Sequence, residues 1–182
     1  MLLEVARKSI ADRLGVETGV SPVGDDAARD PVFQSNRGTF VTLKINDQLR
    51  GCIGNLVPEK PLIKGVRDNA VNAAFNDPRF GPLSPEEFSK IQIEVSLLTE
   101  PQPLEYTDAQ DLLDKIRPHV DGLIIQKGAH SATFLPQVWE QLPDRKAFLQ
   151  QLCMKAGLPP DAWEKGDLQV FTYQVQYFEE QG

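Results

Sequence analysis

Two adjoining segments that meet at Asn46 and Asp47 have the sequence pattern of paired β-strands. Apolar and polar residues alternate from position 41 to position 45, which is the periodicity of a β-strand with one buried face. Asn and Asp tolerate positive φ, so this pair suits a tight hairpin turn. Residues 48–56 then form the returning strand. The sequence therefore predicts an antiparallel β-hairpin.

Two pairing registers of this hairpin are open. A two-residue loop pairs Cys52 with Val41. A three-residue loop instead pairs Cys52 with Thr42, and Arg50 with Lys44. Turn chemistry favours the shorter loop. Segregation of apolar residues to one face favours the longer loop, because a one-residue shift moves every side chain to the other face. We favour the three-residue loop.

The rest of the chain contains helices and strands in no regular alternation. The spacing of apolar residues, together with Gly, Pro and capping residues, predicts helices at 1–14, 61–75, 107–116, 136–141 and 144–156, and strands at 91–98, 122–126, 131–135 and 168–178. A further short helix begins at Ser84, where Glu87 is predicted to complete a capping box. Residues 15–36 follow neither period and are predicted to form an irregular loop. Hairpins without regular alternation favour an α+β fold, with a largely antiparallel sheet flanked by helices.

Size, charge and cysteine content narrow the class of protein. A chain of 182 residues fits one ordinary domain, or two small subdomains that share a core. The net charge is −7 and the basic residues are scattered, so we expect no nucleic-acid partner. No apolar run approaches the ~20 residues of a membrane helix, so we expect no membrane association. Two thiols far apart in sequence suit a reducing compartment, which predicts a cytoplasmic protein.

The strongest candidate site is the strand segment that contains Arg50, Gly51, Cys52 and Gly54. Glycine weakens a strand, so these glycines indicate a bulge, or the close approach of another backbone or a ligand. Arg50 and Cys52 are two residues apart and face the same side of a regular strand. A guanidinium in that position stabilises a thiolate nucleophile. The structural alternative is a small thiol in a tightly packed strand.

Four further residues complete the candidate site. Asp77 and Arg79 lie in a turn that either binds a carboxylate or phosphate, or only ends the preceding helix. Glu94 would act as a general base if burial raised its pKa, and Arg50 is one partner for it on a covered sheet face. His130 is the candidate histidine partner of a catalytic thiol. The sequence lacks zinc spacing, a phosphate-binding loop and a nucleotide fingerprint, so we predict no metal and no cofactor.

The segment from Phe40 to Gly54 resembles the AMMECR domain family, whose microbial members are known as protein A of the AmmeMemoRadiSam system. The resemblance continues, in the same order, through Asp77-Pro78-Arg79-Phe80, Ile93-Glu94-Val95-Ser96, Val120-Asp121-Gly122-Leu123, Thr133-Phe134-Leu135-Pro136-Gln137-Val138-Trp139 and Lys155-Ala156-Gly157-Leu158. It covers about residues 35–180 and implies a single AMMECR-type domain over residues 1–182. It also implies two closely packed subdomains, with segment 49–54 near their junction.

The resemblance implies two partners, a Memo-like protein and a radical S-adenosylmethionine enzyme, but it supplies no reaction. It strengthens the expectation that residues 50–54 are functional. In the favoured hypothesis the domain is a binding or adaptor component that uses this segment as its contact surface. In the alternative it is an enzyme in which Cys52 acts as a nucleophile or redox thiol on a small anionic substrate. Arg50 would hold the anion, and Glu94 or His130 would assist.

Overall fold

The helices and strands are grouped into two units, each built around its own hydrophobic core. The computed structural model describes residues 1–19, 30–57 and 59–180. The first unit comprises Met1–Leu98 and Gln176–Gly182, and the second comprises Thr99–Val175. Helices combined with two antiparallel sheets confirm the predicted α+β class.

In chain order, the described residues form α1 (Leu2–Leu14), α2 (Pro31–Gln34), β1 (Thr39–Ile45), β2 (Gln48–Asn55), α3 (Leu62–Phe75), α4 (Pro85–Phe88), β3 (Gln92–Leu98), β4 (Gln102–Pro103), α5 (Ala109–Lys115), β5 (Gly122–Lys127), β6 (His130–Phe134), α6 (Arg145–Lys155), β7 (Gln169–Tyr173) and β8 (Val175–Glu179). Short 3₁₀ helices at Pro136–Glu140 and Ala162–Lys165 lie on either side of α6 in the sequence. None of the helices in the described part of the chain combines the length and apolarity that crossing a lipid bilayer requires.

The first sheet has the strand order β2-β1-β3-β8, and one of its faces packs on α1 and α3. Alternate residues of β1 and β3 are fully buried on that face, among them Val41, Leu43, Ile93 and Val95. Ile10 of α1 is buried with them, as the apolar stripe of that helix predicts. Each fully buried aliphatic side chain stabilises the fold by about 1.5–3 kcal/mol. The helix-facing side of the sheet is therefore the main source of stability in this unit.

The hairpin of β1 and β2 turns at Asn46 and Asp47. Both residues have positive φ, 51° and 61°, and Ile45 pairs with Gln48 across the turn. These values are those of a type I′ turn, whose twist matches the right-handed twist of the two strands. The predicted three-residue loop is therefore wrong, because turn chemistry decides the length of the loop.

The hairpin register nevertheless shifts by one residue beyond the turn, because Arg50 has no partner of its own on β1. Arg50 is the extra residue of a β-bulge. The predicted pairing of Arg50 with Lys44 is wrong, since Lys44 lies opposite Leu49. The predicted pairing of Cys52 with Thr42 is confirmed. The bulge therefore allows the two-residue turn. The apolar residues of β2 that follow the bulge still lie on the side of the sheet that faces the helices.

The second sheet has the strand order β4-β7-β5-β6 and carries the second core. The rings of Trp139 and Phe148 stack at the centre of this core, with their centroids 3.7 Å apart. The indole Nε1 of Trp139 donates a hydrogen bond to the carbonyl oxygen of Asp121 at 2.8 Å. Both the apolar surface and the polar atom of this tryptophan are therefore satisfied inside the core.

Residues 168–178 form two strands, and the prediction of a single strand is wrong. β7 belongs to the second sheet and β8 to the first. The break falls at Gln174, whose backbone N–H donates to Thr99 Oγ1 at 2.8 Å and whose carbonyl accepts the Thr99 N–H at 2.9 Å. Alternation of apolar residues continues through the break, so the sequence pattern does not reveal it.

Two smaller predictions also need correction. The irregular loop predicted at 15–36 contains α2, which begins where the side chain of Asp30 accepts the Val32 N–H at 2.8 Å; residues 20–29 of that prediction lie outside the described residues. Helix α5 begins after Asp108, not Thr107, because the Asp108 side chain accepts the Asp111 N–H at 2.8 Å.

Candidate functional site

The backbone of Cys52 lies on the outer edge of the first sheet, where β2 has no neighbouring strand. Its N–H donates to Asp77 Oδ2 at 2.9 Å, and its carbonyl oxygen accepts a hydrogen bond from Arg79 Nη2 at 3.2 Å. The carboxylate and guanidinium thus take the places that the C=O and N–H groups of an adjacent strand would occupy. This arrangement closes the sheet edge at the residue that the sequence singles out.

Asp77 reaches the strand edge because α3 ends at Phe75 and Pro78 prevents the helix from continuing. The Asp77 side chain is 2% exposed, and it accepts hydrogen bonds from the Arg79 backbone N–H and Nε, each at 3.0 Å. A further hydrogen bond joins Arg79 Nη2 to Asp77 Oδ2 at 2.7 Å.

The electrostatics of this pair favour the charged form of both groups. The Arg79 guanidinium and then the N–H of Cys52 hold the pKa of Asp77 well below its ordinary value, although burial acts in the opposite direction. Asp77 in turn raises the pKa of Arg79. The pair is a buried carboxylate with a half-exposed cation, so it is strongly coupled to the fold.

Arg50 is directed by the bulge towards α4. Its Nε and Nη2 atoms donate to the two carboxylate oxygens of Glu87 at 2.8 and 2.9 Å, and Nη2 also donates to the carbonyl oxygen of Gly81 at 3.0 Å. Glu87 also completes the predicted capping box with Ser84, which is confirmed. The Arg50 guanidinium, followed by the N–H of Ser84, lowers the pKa of Glu87 to about 2.

The Arg50 side chain bonds to Glu87 and to the carbonyl oxygen of Gly81. The guanidinium that is bonded to Cys52 is that of Arg79. The Nη1 atom of Arg50 is buried and has no hydrogen-bond partner among the described residues. The ring of Phe80 lies near both cations, 5.7 Å from the Arg50 guanidinium and 5.6 Å from that of Arg79. Activation of the Cys52 thiol by Arg50 stays a prediction.

The thiol of Cys52 faces the polar side of the sheet and is half-buried. The hydroxyl of Thr42 donates to its Sγ at 3.3 Å, and Thr42 also lies opposite Glu94 on β3. Glu94 accepts a hydrogen bond from Lys44 Nζ at 3.0 Å, which raises the pKa of that lysine. The suggested partnership of Glu94 with Arg50 is therefore wrong, because the neighbouring strand supplies Lys44.

The two glycines of the motif have packing roles. A Cβ on Gly51 would lie 2.1 Å from the carbonyl oxygen of Ala73 in α3, and a Cβ on Gly54 would lie 2.3 Å from the ring of Phe40. Real side chains do not approach so closely, so these positions require glycine. The predicted close approach of another backbone is confirmed at Gly51, where α3 packs directly on the strand.

His130 belongs to the second unit, at the start of β6. Its Nδ1 contacts the carbonyl oxygen of Ala156 at 3.0 Å, and because a carbonyl only accepts, this nitrogen carries the proton. The pairing of His130 with Cys52 stays a prediction. Within the described residues no group of three His, Cys, Asp or Glu side chains is placed to hold a metal ion.

Sequence reasoning missed two ion-pair partners of the site, Lys44 and Glu87. It placed Thr42 opposite Cys52 but did not foresee the hydrogen bond of its hydroxyl to the thiol. Glu87 was found only as a helix cap, and its second function depends on the bulge that re-aims Arg50. Thr42 and Lys44 follow directly from the register, since residues two apart on β1 face the same side of the sheet. The strict alternation of that strand was therefore an available signal for both.

Comparisons with known proteins agree with this architecture. The family model of AMMECR1 matches residues 3–178. A protein of Methanothermobacter thermautotrophicus is 43% identical over 182 residues, which is 100% of this chain and 93% of that protein. Protein MK0488 of Methanopyrus kandleri is 41% identical over 99% of this chain and 87% of its own length. The crystal structure of the uncharacterised protein PH0010 from Pyrococcus horikoshii matches with a TM-score of 0.83 and 36% identity, over 99% of this chain and 90% of that chain.

The fold and the closed sheet edge at Cys52 define an α+β domain of the AMMECR type. The family match spans nearly the whole chain, and the relatives are similar over most of their own length. The chain therefore belongs to the AMMECR1 family, which confirms the resemblance inferred from its motifs.

We predict that replacing Arg50 changes the acid sensitivity of the protein. The pKa of Glu87 is lower in the folded protein than in the unfolded chain, so its ionised form stabilises the fold. That stability is complete above the ordinary value of 4.5 and is lost as pH falls through about 2. The variant Arg50→Gln removes the cation, so it should be less stable than wild type by about 1–3 kcal/mol near neutral pH. It should then lose less further stability on acidification.

The measurement is urea denaturation of both proteins at about pH 6 and about pH 3. Other carboxylates titrate in both proteins, so the difference between the two isolates the Arg50–Glu87 pair. The variant Lys60→Gln, which removes an exposed pair with Asp68, serves as the control and should differ little from wild type. Equal acid sensitivity of wild type and Arg50→Gln would contradict this assignment.

Proposed function

We propose that this domain is a binding or adaptor component that recognises partner proteins through a surface we call the Cys52 edge. The Cys52 edge comprises residues 49–54 of β2 and residues 77–80 of the adjoining turn. It contains the whole motif that the sequence singles out, together with the Asp77–Arg79 ion pair that closes the strand edge. Its proposed setting is the cytoplasm.

The observation that carries this proposal is that the charged side chains of the Cys52 edge are already paired. Arg50 is bonded to Glu87, and Arg79 is bonded to Asp77. Nearby, Glu94 is bonded to Lys44. A general base must reach the proton that it removes, whereas fixed ion pairs hold a surface in one shape. These pairings therefore favour recognition over acid–base chemistry.

The exposed groups of the Cys52 edge also suit an interface. Leu49 is 43% exposed, and the side chain of Arg79 is 53% exposed beside the half-buried ring of Phe80. Arginine and aromatic side chains are enriched in protein interfaces, where they anchor the contact. Exposed Leu49, which directly precedes Arg50 on β2, adds apolar surface that a partner would remove from water.

The proposed partners are a Memo-like protein and a radical S-adenosylmethionine enzyme, which the family resemblance implies. We expect Leu49→Asp to abolish binding of the partner that uses the Cys52 edge, because it places a charge in the buried contact. Cys52→Ser should retain binding, since the thiol itself is not the recognition group in this proposal. Isothermal titration calorimetry with each purified partner from the same organism measures both effects.

The control for this experiment is Val120→Asp, because Val120 is 44% exposed and lies in the second unit. It carries the same new charge and should leave binding unchanged. Gly51 and Gly54 are unsuitable for the test, because their substitution disturbs packing against Ala73 and Phe40. If neither protein binds, or if Leu49→Asp binds as well as wild type, the proposal fails.

A second candidate function is catalysis by Cys52. It is favoured by one observation, that the Thr42 hydroxyl donates to Sγ and that the Arg79 guanidinium lies beside the same residue. In this candidate Cys52 is the reactive thiol, and Arg79 binds the anionic group of a small substrate. That Arg50 holds the anion and that Glu94 or His130 assists stay predictions.

Alkylation kinetics separate the two candidates. The variant Cys153→Ala leaves Cys52 as the only thiol, and the replaced residue is fully buried, with its pKa raised by that burial. An activated cysteine reacts rapidly with iodoacetamide at about pH 6, well below the ordinary titration of a thiol at about 8.5. We expect Cys52 to react there no faster than free cysteine. Fast reaction that is lost in Arg79→Gln would instead establish the catalytic candidate.

A further inference from the structure

A small apolar cavity lies between the first turn of α1, helix α2 and strand β8, within the first unit. Its volume is about 290 Å³. Buried Leu2, Leu62 and Leu97 form its floor, and the half-buried rings of Phe33 and Phe178 form its walls. None of the residues that line the cavity belongs to the Cys52 edge.

The rim of the cavity differs from its floor because it is positively polarised. The exposed side chain of Arg37 lines the cavity, and no ion pair or hydrogen bond joins it to another described residue. The ammonium group of Met1, which also lines the cavity, pairs with Glu4 at 3.4 Å. Met1 precedes α1 and supplies no side-chain cap to it, and the N-terminus of a helix carries a partial positive charge. A guanidinium and a helix N-terminus therefore border the same apolar space.

We propose that this cavity binds a medium-chain carboxylate. The alkyl chain would lie on the leucine floor, and the carboxylate would accept hydrogen bonds from Arg37 at the rim. A fully apolar ligand would make no use of the cation, and a fully polar one would leave the floor without apolar contacts. This site is separate from the Cys52 edge, and carboxylate binding there does not depend on the proposed adaptor function.

The volume of the cavity limits the length of the ligand. One water occupies ~30 Å³ in the liquid, so 290 Å³ has room for about ten non-hydrogen atoms, which is the size of octanoate. Chains much longer than octanoate would extend past the exposed side chains of Met1 and Val32 into solvent. Octanoate is therefore the probe of choice, and 1-octanol is its uncharged counterpart.

The test is a titration of the methyl-labelled protein with octanoate and with 1-octanol at about pH 7, followed by NMR. We expect octanoate to give saturable shifts concentrated on the methyl groups of Leu2, Val32, Leu62 and Leu97. The variant Arg37→Gln should weaken octanoate binding about tenfold and leave 1-octanol binding unchanged. Arg67→Gln, on the exposed side of α3, removes a cation that does not line the cavity and should change neither ligand.

A second pair of variants tests the charge preference without touching Arg37. Val32 is 54% exposed at the rim, so Val32→Glu and Val32→Gln are equally compatible with the fold. Octanoate should bind Val32→Glu more weakly than Val32→Gln, whereas 1-octanol should not distinguish them. The proposal is overturned if octanoate gives no saturable shift at these methyl groups. It is equally overturned if Arg37→Gln binds octanoate as tightly as wild type, or if 1-octanol loses as much affinity.

Discussion

Two hydrogen bonds to the backbone of Cys52 hold the outer edge of the first sheet, and the site is arranged around them. Asp77 accepts the N–H and Arg79 donates to the carbonyl, so the edge residue has the partners that a further strand would give it. An open strand edge is a template for unwanted pairing, and a charged side chain that caps it removes that risk. Removing Arg79 would leave the buried carboxylate of Asp77 without its cation, which destabilises the fold. Substitutions that open this edge should therefore lower the free energy of unfolding.

The packing of α3 on β2 makes this interaction geometrically possible. Gly51 allows the backbone of α3 to approach β2 at Ala73, closer than any side chain would permit. The helix ends two residues later, and the turn that follows delivers Asp77 to the N–H of Cys52. The segment 50–54 has the residue types of a catalytic site. The contacts that Gly51 and the backbone of Cys52 make nevertheless hold the helix and the turn against the strand. The surface that remains for recognition is the part of the edge that these contacts leave exposed.

Patterns among residues close in sequence predicted much of the fold. The strands at 39–45 and 92–98 follow from apolar alternation, and the cap at Ser84 follows from the spacing of a serine and a glutamate. The glycines of segment 50–54 indicated a bulge or a close approach, but they did not place the bulge at Arg50. Its position reconciles the twist of the two-residue turn with the burial of the part of β2 that follows. The partner of Arg50 follows from that bulge, and so Glu87 was missed as an ion-pair partner.

Other features depend on tertiary context alone. The alternating segment 168–178 is divided between two sheets by the backbone hydrogen bonds of Gln174 with Thr99, and a period of two carries no trace of that division. The pairing of Glu94 with Lys44 could have been read from the strand register, whereas the placement of Asp77 at the strand edge required the helix–sheet packing. Residue types could be nominated from the sequence, but their partners are properties of the fold.

The most direct test of this account is native-state hydrogen exchange at the backbone amide of Cys52. If Asp77 accepts that N–H as an adjacent strand would, the amide should exchange as slowly as paired amides of β1, and replacement of Asp77 by Ala should abolish this protection. Exchange of the Cys52 amide in the wild-type protein as fast as that of an exposed loop amide, such as Gly81, would contradict the account. It would mean that the outer edge of the sheet is open in solution.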